Sequence, residues 1–233
     1  MSERVNSPVD PDVLVDLSVV DDHAESLADR AYRGIRDRLV MLDIRPGSPI
    51  NEDQLGASLG MGRTPVREAL KRLAYERLVV AYPRRGTFAT DVNITDLAHI
   101  SEVRLHLEPI AAAGAARRAT TEERAALGGQ AARLKSEAMS GLDASALMRM
   151  DLQTHRALYA ATHNPFLEDT LTRYDNLANR IWCLFMNRLP GMAGHVSEHG
   201  PLLEAVVAGD ADRAAELARQ HVLHFEREVR SLL

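Results

Sequence analysis

The sequence has a single cysteine and no long early apolar run, and each shortage excludes a class of protein. Cys183 is the only cysteine among 233 residues, which excludes an intrachain disulfide framework and a zinc site built on several cysteines. The longest early apolar stretch, residues 13–20, is interrupted by Asp16, so it cannot span a membrane. The first residues also lack the apolar run of a secretory signal. We therefore expect a cytoplasmic protein without a membrane partner.

Acidic residues outnumber basic ones by 33 to 28 overall, but the basic residues are concentrated in one segment. The net charge of the chain is −5, whereas residues 30–90 hold 12 basic side chains against six acidic ones. The segments on either side, residues 1–29 and 91–233, are both net acidic. Because salt screens charges beyond about 8–10 Å, local charge governs binding. The basic segment is therefore predicted to be a module with its own partner, in spite of the negative total.

Turn and helix signals divide the chain into three parts. Residues 1–22 carry two prolines and many aspartates without a helical period, which predicts a flexible acidic tail. Within residues 23–90, apolar spacing predicts helices over 23–42, 52–59 and 64–77 and then strands over 78–82 and 87–90. Three helices followed by a β-hairpin are typical of a winged helix-turn-helix.

The last part, residues 91–233, shows no convincing strand and is predicted to form an all-helical bundle. The predicted helices are 95–118, 121–140, 143–162, 165–188, 195–208 and 211–232. The predicted fold class is thus mainly α, with an N-terminal winged helix-turn-helix of three helices and a β-hairpin wing, followed by an all-α bundle.

The third predicted helix carries basic side chains on one face. Arg63, Arg67 and Lys71 are spaced by four residues and lie beside the apolar face. A helix fits the major groove of DNA, where an arginine can donate two hydrogen bonds to guanine. Thr64 and Lys71 suit phosphate oxygens. A solvated basic face is the alternative for each residue alone, but the helix and the hairpin together favour DNA binding.

Several motifs follow one another between residues 46 and 86. They are Asn51-Glu52-Asp53-Gln54-Leu55, then Gly60-Met61-Gly62-Arg63-Thr64-Pro65-Val66-Arg67-Glu68-Ala69-Leu70, and finally Arg85-Gly86. This segment closely resembles the DNA-binding domain of GntR-type bacterial transcription regulators. The resemblance implies that Arg63 and Arg67 read bases, that Thr64 contacts a phosphate and that Gly86 is the wing glycine. Apart from the resemblance, the position of Arg84 and Arg85 at the tip of the predicted wing suits the adjacent minor groove or backbone of DNA. Gly62 departs from the family's usual Ser or Thr, which implies one backbone contact fewer or one made by the amide alone.

A second set of residues, in the helical part, suits a metal ion. Asp151 and His155 are spaced by four residues and project from one helix face, and His199 and His221 lie on later helices. One carboxylate and three imidazoles suit zinc, manganese, nickel or iron and leave positions for water or an anion. Spacing alone favours an ordinary surface Asp–His pair.

Spacing also leaves other histidines open as ligands, because His195 precedes His199 by four residues and His224 lies one turn from His221. Longer motifs narrow the choice: Arg104-Leu105-His106-Leu107-Glu108, Asp151-Leu152-Gln153-Thr154-His155, Glu198-His199 and Gly209-Asp210. They look like the FCD ligand-binding domain of the FadR-like branch of the same family, an all-helical bundle that commonly holds a metal.

The resemblance implies that the metal ligands are Asp151, His155, His199 and His221. It implies a divalent transition metal, with zinc first and nickel, manganese or iron as alternatives. It also implies domains over residues 1–22, 23–90 and 91–233, for the tail, the DNA-binding part and an FCD part that binds effector and metal and dimerises.

Three residues are candidates for binding an effector. Arg104 matches the FCD motif and suits a carboxylate, because a guanidinium can pair with it through two hydrogen bonds. The alternative for Arg104 is a structural ion pair with Glu108, four residues on. Asn176 and Arg180 are further candidates, and their alternative is a position facing water.

These observations predict a DNA-binding transcription regulator, and the sign of regulation is predicted to be repression. It acts as a homodimer on a palindromic operator, because symmetric half-sites need a two-fold protein. A small organic acid, a carboxylate or a sugar acid, binds the bundle and alters operator binding. The alternative is a metal-dependent hydrolase or isomerase that uses the Asp-His-His-His site, but the sequence contains no HExxH pattern and no nucleophile elbow.

Overall fold

A computed structural model of the chain describes residues 26–136, 141–186 and 192–232. The helices in that part are α1 (Leu27–Val40), α2 (Glu52–Leu59), α3 (Arg63–Tyr75), α4 (Leu97–Arg118), α5 (Thr121–Leu134), α6 (Ala144–Ala160), α7 (Pro165–Phe185), α8 (Met192–Ser197), α9 (His199–Ala208) and α10 (Ala211–Arg230). Two strands, β1 (Val79–Tyr82) and β2 (Gly86–Ala89), and a short 3-10 helix, Ile94–Asp96, separate α3 from α4. The predicted fold class is confirmed. The predicted acidic tail, residues 1–22, lies outside the described residues.

Capping residues set the limits of α2, which positions the side chains opposite α3. The Asn51 side chain accepts hydrogen bonds from the backbone N–H groups of Asp53 and Gln54, and so satisfies two donors of the first turn. Gly60 ends the helix in the left-handed region with a φ of 65°, a conformation that glycine adopts without strain. The prediction of a helix over 52–59 that stops at Gly60 is confirmed.

The three N-terminal helices and the hairpin share a small apolar core. Its buried side chains include Ile35, Leu39, Val66, Leu70, Leu73, Leu78 and Val79. Because α3 turns its apolar face to this core, its opposite face is exposed. In the hairpin, Val79 lies opposite Ala89 and Tyr82 opposite Gly86, which has a φ of 91° in the tight turn. The N–H of Ile50 donates to the Thr87 carbonyl at 2.8 Å, which ties the chain before α2 to the wing.

The remaining helices form a bundle around a larger apolar core, in which α4 packs against α7 and α10, and α5 packs against α9. Trp182 on α7 is fully buried and stacks on Phe225 of α10, with ring centroids 4.8 Å apart. Val40 and Met41, at the end of α1, also belong to this core, so α1 contacts both parts of the protein. Among the described helices, none combines the length and the apolar character needed to cross a membrane.

One predicted helix is wrong as drawn. The segment 195–208 contains two helices, α8 and α9, with Glu198 in the turn between them. Pro201 explains the break, because its ring lacks the N–H that would bond the Ser197 carbonyl and would clash with that carbonyl in a continuous helix. Two other predicted ends, 137–140 and 187–188, fall outside the described residues. The break places Glu198 beside α10, where it contacts two histidines.

Candidate DNA interface and metal centre

The seven residues predicted to contact DNA are all exposed. Four of them lie on α3 or at its start and three in the wing turn: Arg63, Thr64, Arg67, Lys71, Arg84, Arg85 and Gly86. Gly62 is the N-cap of α3 and makes no side-chain hydrogen bond to the first turn. The free N–H groups of that turn point outward at the positive end of the helix dipole, where a phosphate oxygen is a suitable partner.

Two ion pairs between α2 and α3, which the sequence interpretation missed, hold Arg63 and Arg67, the two arginines predicted to read bases. Arg67 Nε donates to Glu52 Oε2 at 2.6 Å, and Arg63 Nη2 donates to Asp53 Oδ2 at 2.7 Å. The hydrogen bond that Arg67 donates to Glu52 raises the pKa of Arg67 above its usual value. The side chain of Arg63 remains 65% exposed and that of Arg67 60% exposed. The pairs therefore add little stability, but they restrict the directions of the guanidinium groups.

The four predicted metal ligands converge in the bundle. Asp151 and His155 come from α6, His199 is the first residue of α9 and His221 lies on α10. One ligand atom of each residue lies within 4.8 Å of the ligand atoms of the other three, and all four side chains are buried. We refer to these residues as the four-ligand cluster.

Each histidine of the four-ligand cluster makes a hydrogen bond through Nδ1, and Nδ1 of His199 also lies 3.8 Å from Asp151 Oδ1. His199 Nδ1 bonds the Val196 carbonyl at 3.1 Å, His221 Nδ1 bonds Glu198 Oε2 at 3.0 Å, and His155 Nδ1 bonds the Tyr159 hydroxyl at 3.0 Å. A carbonyl or a carboxylate only accepts, so Nδ1 of His199 and of His221 carries the proton. Their Nε2 lone pairs are thereby directed inward, as in metal sites where an outer partner fixes the tautomer.

At the centre of the cluster the inward atoms lack partners that suit them. His155 Nε2 and His199 Nε2 lie 3.1 Å apart, although a neutral imidazole that protonates Nδ1 offers only a lone pair there. Within the described part of the chain, His221 Nε2 and Asp151 Oδ1 are buried and have no hydrogen-bond partner. Buried polar atoms without partners are costly, and a divalent cation among these lone pairs would remove the cost. The residues therefore fit a metal.

The electrostatics of the cluster also suit a metal. Burial lowers the pKa of His199 to about 3 and lowers the pKa values of His155 and His221 well below the usual value, so the imidazoles are neutral at pH 7. Burial and the neighbouring Asp175 raise the pKa of Asp151 well above the usual value for an aspartate. A cation reverses the effect on Asp151, because it favours the carboxylate form.

Arg104 lies next to the four-ligand cluster in a buried ion-pair network. Its Nε donates to Glu108 Oε1 at 2.6 Å, and its Nη2 lies 3.3 Å from Asp175 Oδ1. Burial raises the pKa of Asp175 to about 7, although Arg104 opposes this shift. The structure thus shows the ion pair with Glu108 that was the alternative for Arg104. An effector carboxylate would have to share or displace these partners.

The other two candidate effector residues, Arg180 and Asn176, differ in their hydrogen bonds. Arg180 donates from Nη1 to Thr90 Oγ1 and from Nη2 to the Thr90 carbonyl, both at 2.6 Å, so it contacts the residue after β2. Burial lowers the pKa of Arg180 to about 10, which leaves it charged at pH 7. Asn176 is buried, and its side-chain amide has no hydrogen-bond partner among the residues that the structure describes.

Comparison with known proteins finds two matching families. The bacterial regulatory proteins of the gntR family match residues 27–89, and the FCD domain matches residues 99–224, more than half of the chain. The uncharacterized HTH-type transcriptional regulator YdhC of Bacillus subtilis is 28% identical, covering 86% of this chain and 88% of that protein. The galactonate operon transcriptional repressor of Escherichia coli is 26% identical, covering 80% of this chain and 90% of that protein. The solved structure of E. coli McbR/YncC has a similar fold, with a TM-score of 0.77 and 21% identity over 90% of this chain and 99% of that one.

Proposed function

This chain belongs to the gntR family of bacterial regulatory proteins and carries an FCD domain, and on that basis we propose a repressor whose operator binding responds to a metal-dependent organic-acid effector. Family membership makes it a transcriptional regulator rather than an enzyme, which sets aside the metal-dependent hydrolase or isomerase. The observation that carries the proposal is the convergence of Asp151, His155, His199 and His221, all buried, with one possible ligand atom of each within 4.8 Å of those of the others.

The DNA-binding part of the proposal rests on the exposed face of α3 and on the wing. Arg63 and Arg67 would donate to guanine in the major groove, and Thr64 and Lys71 would contact phosphates. Arg84 and Arg85, with Gly86 in the turn, would reach the minor groove or the backbone beside it. One winged helix buries too little surface for tight specific binding, so we propose a homodimer on a palindromic operator.

The metal proposal rests on the donor set. Three neutral imidazoles and one carboxylate suit a divalent transition metal, with zinc first and nickel, manganese or iron as alternatives. When bound, the ion would supply an anchor for an effector carboxylate at a position that the protein leaves open. Glu198 and the Val196 carbonyl accept from Nδ1 of His221 and His199 and so leave the Nε2 lone pairs of these rings for the metal. The Tyr159 hydroxyl donates to Glu108 Oε1 at 3.1 Å, so its oxygen accepts from Nδ1 of His155.

The effector proposal is a small hydroxylated organic acid, such as a sugar acid. Its support is the relative that is named for the galactonate operon, together with Arg104 beside the four-ligand cluster. Two buried carboxylate oxygens that are not among the proposed metal ligands have no hydrogen-bond partner in the described residues: Glu108 Oε2 and Asp175 Oδ1, the second of which faces Arg104 Nη2 at 3.3 Å. They can accept hydrogen bonds from effector hydroxyl groups. Asn176 is a further candidate, because its buried amide offers both a donor and an acceptor.

Effector binding needs a connection to the DNA-binding part, and two arginines, the partly exposed Arg156 and the buried Arg180, contact that part. Arg156, next to His155 on α6, bonds Asp37 of α1 through Nη2 at 2.8 Å. Arg180 on α7 bonds Thr90 at the end of the wing. A shift of α6 or α7 on effector binding would alter these contacts and favour one arrangement of the DNA-binding part.

The experiment that tests the proposed function measures melting temperature and operator affinity together. With zinc bound, a panel of sugar acids and hydroxy acids that includes galactonate is expected to contain a compound that raises the melting temperature, because it binds the native state. The same compound is expected to weaken operator binding in a gel-shift assay, and a chelator is expected to abolish both effects. Effects that are equal with and without chelator would contradict the role of the metal.

Replacing Arg180 by alanine is expected to uncouple the two parts of the protein. The variant loses both hydrogen bonds to Thr90, so the effector-induced loss of operator affinity is expected to shrink by about fivefold or more. The rise in melting temperature caused by the effector should remain. Arg149→Ala, which removes an exposed arginine from α6, is the matched control. Loss of the melting-temperature rise would instead show that Arg180 contacts the effector.

A further inference from the structure

His195 lies beside the four-ligand cluster but is not part of it. Its side chain is 3% exposed, and its ring stacks on His221 with centroids 4.2 Å apart and an angle of 27° between planes. The His195 ring also contacts the Trp182 ring, with centroids 4.3 Å apart. Nδ1 of His195 is buried and has no hydrogen-bond partner in the part of the chain that the structure describes. A buried imidazole nitrogen without a partner is a polar atom that a ligand would satisfy.

The two ring nitrogens of His195 face different carboxylates. Nε2 lies 3.8 Å from Asp151 Oδ1 of the four-ligand cluster. Nδ1 lies 3.8 Å from Glu198 Oε2, and the same oxygen lies 3.0 Å from His221 Nδ1. Glu198 occupies the turn between α8 and α9, and its side chain is 31% exposed. Its other oxygen bonds Nδ1 of His224, which is 37% exposed. One ligand atom from each of His195, Glu198 and His221 lies within 4.8 Å of the other two.

We propose that His195, Glu198 and His221 form a second cation site, the outer group, which takes a divalent transition metal such as zinc. Two imidazoles and one carboxylate are a donor set that these ions accept, with water in the remaining positions. The outer group uses Nδ1 of His221, whereas the four-ligand cluster uses Nε2 of the same ring. The two sites therefore lie on opposite sides of one imidazole.

Sharing His221 makes the two sites alternatives for one ion. A neutral imidazole has one nitrogen lone pair, so His221 binds either through Nδ1 or through Nε2. Glu198 is partly exposed, whereas the four residues of the inner cluster are buried. The outer group is thus the position that an ion reaches first from solvent, and transfer inward moves the His221 proton from Nε2 to Nδ1, where Glu198 accepts it in a hydrogen bond.

A simpler role for Glu198 is that of a hydrogen-bond acceptor that only orients His221 toward the inner cluster. The two roles predict different metal binding when the inner cluster has lost its ligands, because a Glu198 that only orients His221 would then bind no ion. The full-length His155→Ala/His199→Ala variant removes two inner ligands and keeps the outer group intact. This test needs neither DNA nor effector, so its result is independent of the proposed regulatory function.

The experiment titrates that variant with Co²⁺ alone, followed by visible absorbance and calorimetry. We expect saturable binding of about one ion per chain, weaker than in the wild type, since only three protein ligands remain. Adding Glu198→Gln or His195→Ala to this background is expected to abolish saturable binding. Adding His163→Ala, which removes an exposed histidine that pairs with Glu123 at 2.9 Å, should change nothing.

The proposed outer group would be overturned if the folded double variant showed no saturable Co²⁺ binding. It would also be overturned if Co²⁺ binding survived the addition of Glu198→Gln. Circular dichroism checks folding. If the double alanine variant does not fold, Asp151→Asn/His199→Phe replaces it, because these side chains keep the buried volume while removing inner ligands. The same expectations and the same overturning results then apply to that background.

Discussion

Replacing His199 and His221 together with alanine is expected to remove bound metal from the purified full-length protein. The two imidazoles come from different helices and supply half of the four-ligand cluster. Loss of an outer hydrogen-bond partner alone typically weakens a metal site about 10- to 100-fold, so loss of two ligands should exceed about 100-fold. Elemental analysis after extensive dialysis measures the metal content directly.

The double variant is also expected to differ from the wild type in how its melting temperature responds to metal. Zinc should raise the melting temperature of the wild type, because it binds the native state, whereas the variant should respond neither to zinc nor to chelator. His106→Ala/His163→Ala, which removes two exposed histidines, is the matched control and should retain metal. Metal that stays bound to His199→Ala/His221→Ala at wild-type stoichiometry would show that these residues are not ligands, and it would contradict the outer group as well.

The parts of the structure that could be predicted from the sequence are those that depend on interactions between residues close together in the chain. The limits of α2 follow from Asn51 as a cap and from Gly60 as a left-handed stop, both within a few residues of the helix. The hairpin follows from a short apolar run on either side of a turn that contains Gly86. The break between α8 and α9 was also readable, because Pro201 stands three residues into α9, but the apolar period of the segment hid it.

The candidate metal site was readable only in part. Asp151 and His155 share a helix face by spacing, but His195, His199, His221 and His224 satisfy the same spacing rules equally well. Which of these histidines can bind the metal depends on the ring nitrogen that each one presents to the site. That nitrogen is set by hydrogen-bond partners far away in sequence, such as Glu198, which lies 23 residues from His221. Asp175 was missed for the same reason, since its pairing with Arg104 spans two helices.

The sequence predicts that Arg63 and Arg67 read bases, but it did not predict their ion-pair partners. Glu52 and Asp53 follow the Asn51 cap, where acidic residues are favoured by the helix dipole alone. Only the packing of α2 against α3 brings them to Arg67 and Arg63. The pairs matter for function because they set which N–H groups remain free. Arg67 bonds Glu52 through Nε, which leaves both terminal nitrogens for guanine, whereas Arg63 shares Nε and Nη2 with Asp53.

Replacing Arg67 by alanine is therefore expected to weaken operator binding more than replacing Arg63 by alanine. Each bidentate contact to guanine contributes to discrimination between bases, so each loss should lower affinity about 5- to 100-fold and relax the preference at one base pair. Arg67 should lie at the upper end, because its pair with Glu52 orients it without occupying the donors that read the base. Fluorescence anisotropy with wild-type and single-base-substituted operators measures both effects.

Two further variants separate base reading from charge in the same assay. Lys71→Ala should weaken binding evenly on all sequences and reduce the slope of log affinity against log salt by about 0.9, as expected for one phosphate contact. Arg149→Ala removes the same charge from α6 and should leave base preference and slope unchanged. If Arg67→Ala behaved like Lys71→Ala, with uniform weakening and no altered base preference, Arg67 would be a phosphate contact. The face of α3 that reads bases would then have to be centred on Arg63, with Asp53 released on binding.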